Sequence, residues 1–198
     1  MNIGVLAMQG AVAEHLQILS RLGVNVQPVK LPKDLSGLDG LVIPGGESTT
    51  IGKMLENYAL IAPLKSLAAN GFPIFGTCAG MILMAKDIID FKINTLELMD
   101  IGVIRNGYGR QIDSFETDLE IPLLGEKKFH SIFIRAPIIK YIKANVEVLC
   151  QIDGNPVAVR QGPFLACAFH PELADDLRLH SLFLEMVYGG VVAKGICR

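Results

Sequence analysis

No block of basic residues stands anywhere in this chain. Lys and Arg total 18 against 20 Asp and Glu, a formal net charge of −2, and both signs are spread along the sequence. Such a surface offers no electrostatic footprint for a nucleic acid or an anionic membrane. Cysteine is scarce, and Cys78, Cys150, Cys167 and Cys197 have no close paired spacing. That argues against a zinc ribbon and a disulfide framework and fits a reducing cytoplasm. No apolar run is long enough to span a bilayer. The N-terminus enters an apolar strand-like run at once, so no secretory leader is expected. Neither a phosphate-binding signature nor a Schiff-base lysine motif can be found, and no metal or organic cofactor is expected. No repeat, linker or low-complexity tract divides the 198 residues, of which 51% are hydrophobic, so a single domain, 1–198, with a full core is expected.

What is present is alternation. Residues 2–8 read as a strand and 11–22 as an amphipathic helix with Val12, Leu16, Leu19 and Leu22 on one face, closed by Gly23. Strands follow at 24–29 and 40–43, then a helix through Met54-Leu55 and another over 62–69 ending at Asn70-Gly71. A short apolar run, Phe72-Pro73-Ile74-Phe75, precedes a helix-like stretch, 81–88. This order predicts an α/β fold of three layers, a mostly parallel sheet with helices on both faces. From about Met99 the texture changes to extra strands, read as antiparallel, at 102–105, 111–115, 131–135, 147–152, 156–160 and 164–169. Asp153-Gly154-Asn155 marks a hairpin, and a last helix runs over roughly 176–187.

Three segments carry chemistry. Gly76-Thr77-Cys78-Ala79-Gly80 places a cysteine between glycines where a strand turns into a helix, the pattern of a nucleophile elbow. Helix N-terminal N–H groups favour the thiolate there. On these five residues alone, a buried structural cysteine fits equally well. Phe164 to Glu172 reads as a buried strand ending in His170-Pro171-Glu172. In an extended chain His170 and Glu172 face one side, as a base and its orienting carboxylate must. Alone this could be a surface turn. With a cysteine about ninety residues upstream it becomes a candidate catalytic pair. Leu41-Val42-Ile43 runs into Pro44-Gly45-Gly46-Glu47-Ser48-Thr49-Thr50. The glycines let backbone N–H groups approach an oxyanion, with the N–H of Ala79 as partner donor. An ordinary turn with Ser48 or Thr49 as helix N-cap is the plainer reading. It is not a P-loop, since no Gly-Lys-Ser/Thr follows. Ligands bind beyond the carboxyl ends of parallel strands, where Gly46, Cys78 and His170 all fall.

Gly-Thr-Cys-Ala-Gly-Met, Pro-Gly-Gly-Glu-Ser-Thr-Thr and Phe-His-Pro-Glu resemble class I, or triad, glutamine amidotransferase domains. Leu6 to Val12, Arg105 to Gln111, Asp113 to Glu116, Phe133 to Pro137 and Val157 to Gly162 are similar to one branch, the glutaminase subunits of pyridoxal 5′-phosphate synthases. The likeness runs from Ile3 to about Val187. It implies that Cys78 attacks glutamine, that His170 is the base oriented by Glu172, and that Gly46 and Ala79 form the oxyanion hole. It implies glutamine contacts at Gly46, Glu47, Ser48, Arg105, Ile134 and Arg135. Arg105 and Glu47 have the charges an amino acid's carboxylate and ammonium require, although on the residues alone a surface salt bridge for Arg105 and a helix N-terminal charge for Glu47 are the preferred readings. It further implies a separate synthase subunit as ammonia acceptor in a hetero-oligomer involved in vitamin B6 synthesis, with Gln9 and Gly10 at the interface or gate. Cys167 stands where a hydroxyl residue is common, and Gly107-Tyr108 varies a small-plus-Phe pair. A related amidotransferase with another partner, a non-catalytic subunit and a cysteine peptidase stay as alternatives. His15, His180 and His130 read as structural or interfacial, Asp113 and Glu116 as solvated or salt-bridged, and Cys167 as buried.

Overall fold

In the computed structural model, residues 1–105, 107 and 114–195 are described, with side chains through 190. The first half alternates as β1 Asn2–Leu6, α1 Val12–Arg21, β2 Asn25–Val29, β3 Gly40–Ile43, α2 Ser48–Asn57, α3 Ile61–Ala69, β4 Ile74–Thr77 and α4 Ala79–Met84. The second half runs β5 Ala85–Ile88, β6 Met99–Ile104, β7 Ser114–Leu119, β8 Phe129–Ile134, β9 Ile138–Ile142, β10 Glu147–Ile152, β11 Asn155–Gln161, β12 Phe164–Cys167 and α5 Arg178–Gly195. Short 3-10 turns occupy Pro32–Leu35, Pro122–Leu124 and Pro171–Leu173.

Seven strands form the main sheet in the order β10-β11-β12-β4-β3-β1-β2. Pairings from β2 through β12 are parallel, while β10 and β11 add antiparallel strands at one edge. This is the α/β architecture with a mostly parallel sheet that the alternation predicts. β3, β4 and β12 are nearly wholly buried, as strands covered on both faces must be. Side-chain alternation sorts the helices. Phe75 packs against His15 of α1 and against His180 and Phe183 of α5. Gly76, pointing the other way, abuts Met84 and Gly80 of α4. So α1 and α5 cover one face, α4 the other. At the far edge, Pro28 of β2 pairs with Val5 of β1.

Several boundaries differ from the sequence reading. The helix expected over 81–88 stops at Met84. Ala85–Ile88 is instead a strand paired with β6, and Lys86 reaches Asp100 at 3.0 Å. β9 escaped the reading because its partner β6 lies far upstream in sequence. The expected strand 111–115 begins outside the described residues and continues as β7. Asp153 and Gly154 both adopt positive φ, the hairpin geometry that Asp-Gly favours. The last helix begins later than expected, where Asp176 accepts from the Arg178 backbone N–H.

The elbow glycines have separate reasons. A Cβ on Gly80 would lie 2.0 Å from the backbone oxygen of Ile43, and one on Gly76 would lie 2.7 Å from the Gly80 backbone. Backbone cannot yield as a side chain can. Gly80→Ala is therefore expected to cost about 3 kcal/mol or more and lower Tm by roughly 10 °C, read by thermal melting.

Candidate functional site

Cys78 sits between β4 and α4 with φ 47° and ψ −102°, a conformation rare for a residue with a Cβ. Its N–H donates to Cys167 O at 2.8 Å, and Ile82 N–H donates to its carbonyl at 3.3 Å. The strained backbone is thus held from both sides. Its Sγ lies 3.9 Å from Ile134 O. α4 spans six residues. Its first N–H, that of Ala79, belongs to the group no helix can pair internally.

His170 follows β12, and its N–H donates to Ile132 O at 2.8 Å. Nδ1 lies 2.6 Å from Glu172 Oε1. The meeting of these side chains was expected, but not by this route. β12 ends at Cys167, and Pro171–Leu173 is a 3-10 turn, so the turn rather than strand alternation brings the carboxylate beneath the ring. Burial disfavours charge on His170, yet Cys78 and Glu172 beside it raise its pKa to about 10. With Nδ1 engaged, Nε2 is left for the thiol. The Glu172 side chain is 0% exposed.

The loop after β3 closes the site. A Cβ on Gly45 would stand 2.3 Å from His170 Cε1 and 3.4 Å from Cys78 Cβ. Ala11 N–H donates to Gly45 O at 3.3 Å. Gly10, at φ 101°, leaves room for that carbonyl, which a Cβ would meet at 1.7 Å. Across a trans peptide, the Gly46 N–H therefore points away from residues 10–11. Gln9 Oε1 accepts from Glu47 N–H at 2.7 Å. The N-cap of α2 is Glu47, not Ser48 or Thr49, because its longer carboxylate reaches the N–H groups of both Thr49 and Thr50. Burial opposes its charge, but hydrogen bonds from Thr49 and Thr50 bring its pKa to about 2. Arg105 Nη2 pairs with Glu47 Oε1 at 2.9 Å, and its guanidinium lies over the Phe91 ring. The buried Arg105 Nε finds no partner among the described residues.

These residues line one cleft of about 220 Å³ containing Gln9, Gly46, Glu47, Ser48, Cys78, Arg105, Ile134, Arg135 and His170, together with Ile82. Ile82 escaped the sequence reading, since an apolar helix residue carries no chemical signal. Glu172 stands behind His170, Gly10 behind the loop, and Ala79 at the base of α4. Asn106 and 108–113 lie outside the described residues, including the expectations for Gln111 and Asp113, as does Cys197. Cys150 and Cys167 are buried, with burial raising the first thiol to about 12 and the second well above its usual range. His130 pairs with Asp118 and Glu116 on the exposed face of β8, so Glu116 is salt-bridged as expected. A larger groove of about 870 Å³ beside α2 and β5 is lined by Lys53, Lys65 and Lys86 among others, with no Cys or His in its wall among the described residues. No metal-ligating cluster occurs among the described residues, and no described helix is long and apolar enough to cross a membrane.

Known proteins resemble this chain over nearly its whole length. The pyridoxal 5′-phosphate synthase subunit PdxT of Moorella thermoacetica is 55% identical over 187 residues, covering 94% of this chain and all of the relative. The PdxT of Thermotoga maritima is 52% identical over the same length. A crystal structure titled as a glutamine amidotransferase superposes with TM-score 0.89 at 45% identity, covering 93% of this chain and 98% of its own. A chain of PurLQS from Thermotoga maritima, at 17% identity and TM-score 0.64, covering 93% of this chain and 97% of its own, shares the fold alone. With the family model matching residues 5–189, the chain belongs to the SNO glutamine amidotransferase family.

Proposed function

We propose that this chain is one glutaminase domain serving a pyridoxal 5′-phosphate synthase, with Cys78, His170 and Glu172 as its catalytic triad. The observation that carries the assignment is the strained Cys78 backbone beside an imidazole whose Nδ1 is bound to a fully buried carboxylate. His170 takes the thiol proton, and the Cys78 sulfur attacks the side-chain amide carbon of glutamine. The resulting oxyanion is received by the N–H groups of Gly46 and Ala79. His170 returns the proton to the departing nitrogen, releasing ammonia and leaving a thioester. Water, deprotonated by His170, then cleaves the thioester to glutamate and restores the thiol. Glu172 holds the imidazole in one tautomer throughout.

The Arg105–Glu47 pair supports the substrate. It presents a cation and an anion side by side, the complement of an amino acid's α-carboxylate and α-ammonium. Glutamine exchanges their mutual contact for its own two charges, and Arg105 Nε, without a partner among the described residues, supplies a further donor. Ser48, Ile134 and Arg135 complete the wall. Arg105→Lys loses the planar fork, so KM for glutamine is expected to rise roughly tenfold or more with kcat changed far less. Steady-state kinetics with glutamine as the varied substrate checks this.

The high identity to PdxT chains favours the synthase partner over imidazole- or purine-forming systems, with the cytoplasm as its compartment. Gln9 in the cleft wall and Gly10 behind the loop grip the oxyanion loop, so a partner touching them sets the position of Gly46. The test is glutamate release from glutamine with and without the purified synthase subunit. Activity that rises with the synthase supports the proposal. Activity indifferent to it removes the partner but keeps the chemistry. No activity in either condition from folded protein overturns both.

A further inference from the structure

Two histidines stand behind the triad, and the mechanism above uses neither. His15 on α1 and His180 on α5 are each 0% exposed. His15 Nδ1 lies 2.9 Å from His180 Nε2. His15 Nε2 lies 3.3 Å from Glu172 Oε2 and 3.2 Å from Thr77 Oγ1. Thr77 Oγ1 in turn accepts from the Gly45 N–H at 3.0 Å. The groups facing His15 are thus Glu172 and His170 from the 3-10 turn and its cap, Thr77 from β4, and His180 from α5. The edge of Phe75 closes the remaining side.

Hydrogen-bond direction follows from what each group can give. The ionised Glu172 carboxylate only accepts, so the proton of a neutral His15 belongs on Nε2. His15 Nδ1 is then a lone pair, and His180 must donate to it from Nε2. His180 Nδ1 is left bare, consistent with its having no partner among the described residues. Reversing the tautomers would aim a lone pair at Glu172 Oε2 and strand a buried N–H on His180, the costlier arrangement. Burial and the neighbouring imidazoles lower the pKa of His15, and burial lowers that of His180 to about 4, so both are neutral donors near neutrality. Glu172 Oε1 thus contacts His170 Nδ1, while Oε2, which has no hydrogen-bond partner among the described residues, has His15 Nε2 at 3.3 Å, the hydrogen of that nitrogen being directed to Thr77 Oγ1.

We propose that His15, backed by His180, is a positioning residue of this site. Its Nε2–H, hydrogen-bonded to Thr77 Oγ1, lies beside Oε2 of Glu172, and this dipole next to an otherwise unpartnered carboxylate oxygen holds the carboxylate in register with His170 Nδ1. The inference rests on the Cys–His–Glu reading above. It goes further by placing the control of the triad carboxylate on α1, the helix that directly follows the Gln9–Ala11 grip on the oxyanion loop.

Two polar isosteres separate positioning from packing. The His15→Gln amide can place an N–H near the position of Nε2, facing Glu172. The shorter amide of His15→Asn reaches only the position of Nδ1, facing His180. Both are assayed for kcat and KM with the synthase subunit present. Cys78 alkylation by iodoacetamide is followed against pH with the synthase absent. His15→Asn is expected to lose at least about tenfold in kcat, with KM within twofold, and to move the alkylation midpoint to higher pH, because an unsupported Glu172 stabilises the imidazolium less. His15→Gln is expected to retain kcat within about threefold and the wild-type midpoint. Should His15→Asn fail a thermal-melt check, His180→Leu is read instead; it leaves His15 without its donor and shifts the same midpoint upward by a smaller amount. Equal behaviour of Asn and Gln, or an alkylation profile that moves in neither His15→Asn nor His180→Leu, overturns the positioning role. Wild-type protein without glutaminase activity would overturn the reading beneath it, while the alkylation profiles would still decide the role of His15.

Discussion

Cys78→Ala is expected to abolish glutamine hydrolysis, by on the order of 10⁴-fold or more in kcat, while leaving the fold intact. In the proposed mechanism the sulfur is the atom that forms the thioester, and no neighbouring group can replace it. Cys167 lies in β12 with its Sγ directed at Phe169 O at 3.4 Å, and Cys150 is held in β10. Burial keeps both thiols protonated. Cys167→Ala is therefore the matched control, with kcat expected within about twofold because the residue only packs. Glutamate release in the presence of the synthase subunit gives the comparison, and circular dichroism melting verifies the fold. Residual turnover above about a hundredth of wild type in Cys78→Ala would mean that another nucleophile operates and would end the thioester mechanism.

Gly45→Ala is expected to reduce kcat about 100-fold without removing the nucleophile. Its new methyl group would stand 2.3 Å from His170 Cε1 and 2.9 Å from Nδ1. Relief requires either the imidazole to swing off Glu172 or the loop carrying Gly46 to move outward. In the proposed mechanism each displaces a group that must meet the substrate within a fraction of an ångström. Because a side chain rather than backbone yields, the stability loss should be smaller than for Gly80→Ala. Kinetics combined with electrophile labelling reads the result. Cys78 remains present and accessible, so labelling persists at a reduced rate while turnover collapses. Wild-type kcat in a folded Gly45→Ala would show that the packing of the loop against His170 does not set the geometry of the base.

Much of the site was visible in the sequence because its chemistry is local. A thiol at a strained turn demands small neighbours, and Gly76 and Gly80 announce that demand within five residues. His170 and Glu172 are two apart, so any tight backbone path lets them meet; the 3-10 turn was not needed to suspect the pair. What stayed hidden depends on long-range convergence. His15 and His180 are 165 residues apart and each looks like an ordinary helix residue. Only the stacking of α1 and α5 on one sheet face puts them in line with Glu172. The 81–88 misreading has the same origin. Ala85–Ile88 offers just four residues of pattern, and its strand character comes from β6 beside it. Glu47 shows a further limit: a charge at a helix N-terminus and a salt-bridged Arg105 were each legible, but that the two pair with one another is a matter of three-dimensional reach.

The placement of Pro28 has a consequence for self-association. Ala7 N–H donates to Val29 O at 2.8 Å, so the polar groups of Val29 face β1. In a strand, the adjacent residue directs its polar groups oppositely. Pro28 therefore turns its ring nitrogen, which has no hydrogen to give, toward the open edge of the sheet. At the opposite edge, the β10–β11 ladder is interrupted by register shifts around Cys150. Neither margin presents an unbroken row of donors and acceptors on which a further chain could template. A protein with so apolar a sheet is thereby guarded, at both ends, against polymerising through its own hydrogen bonds.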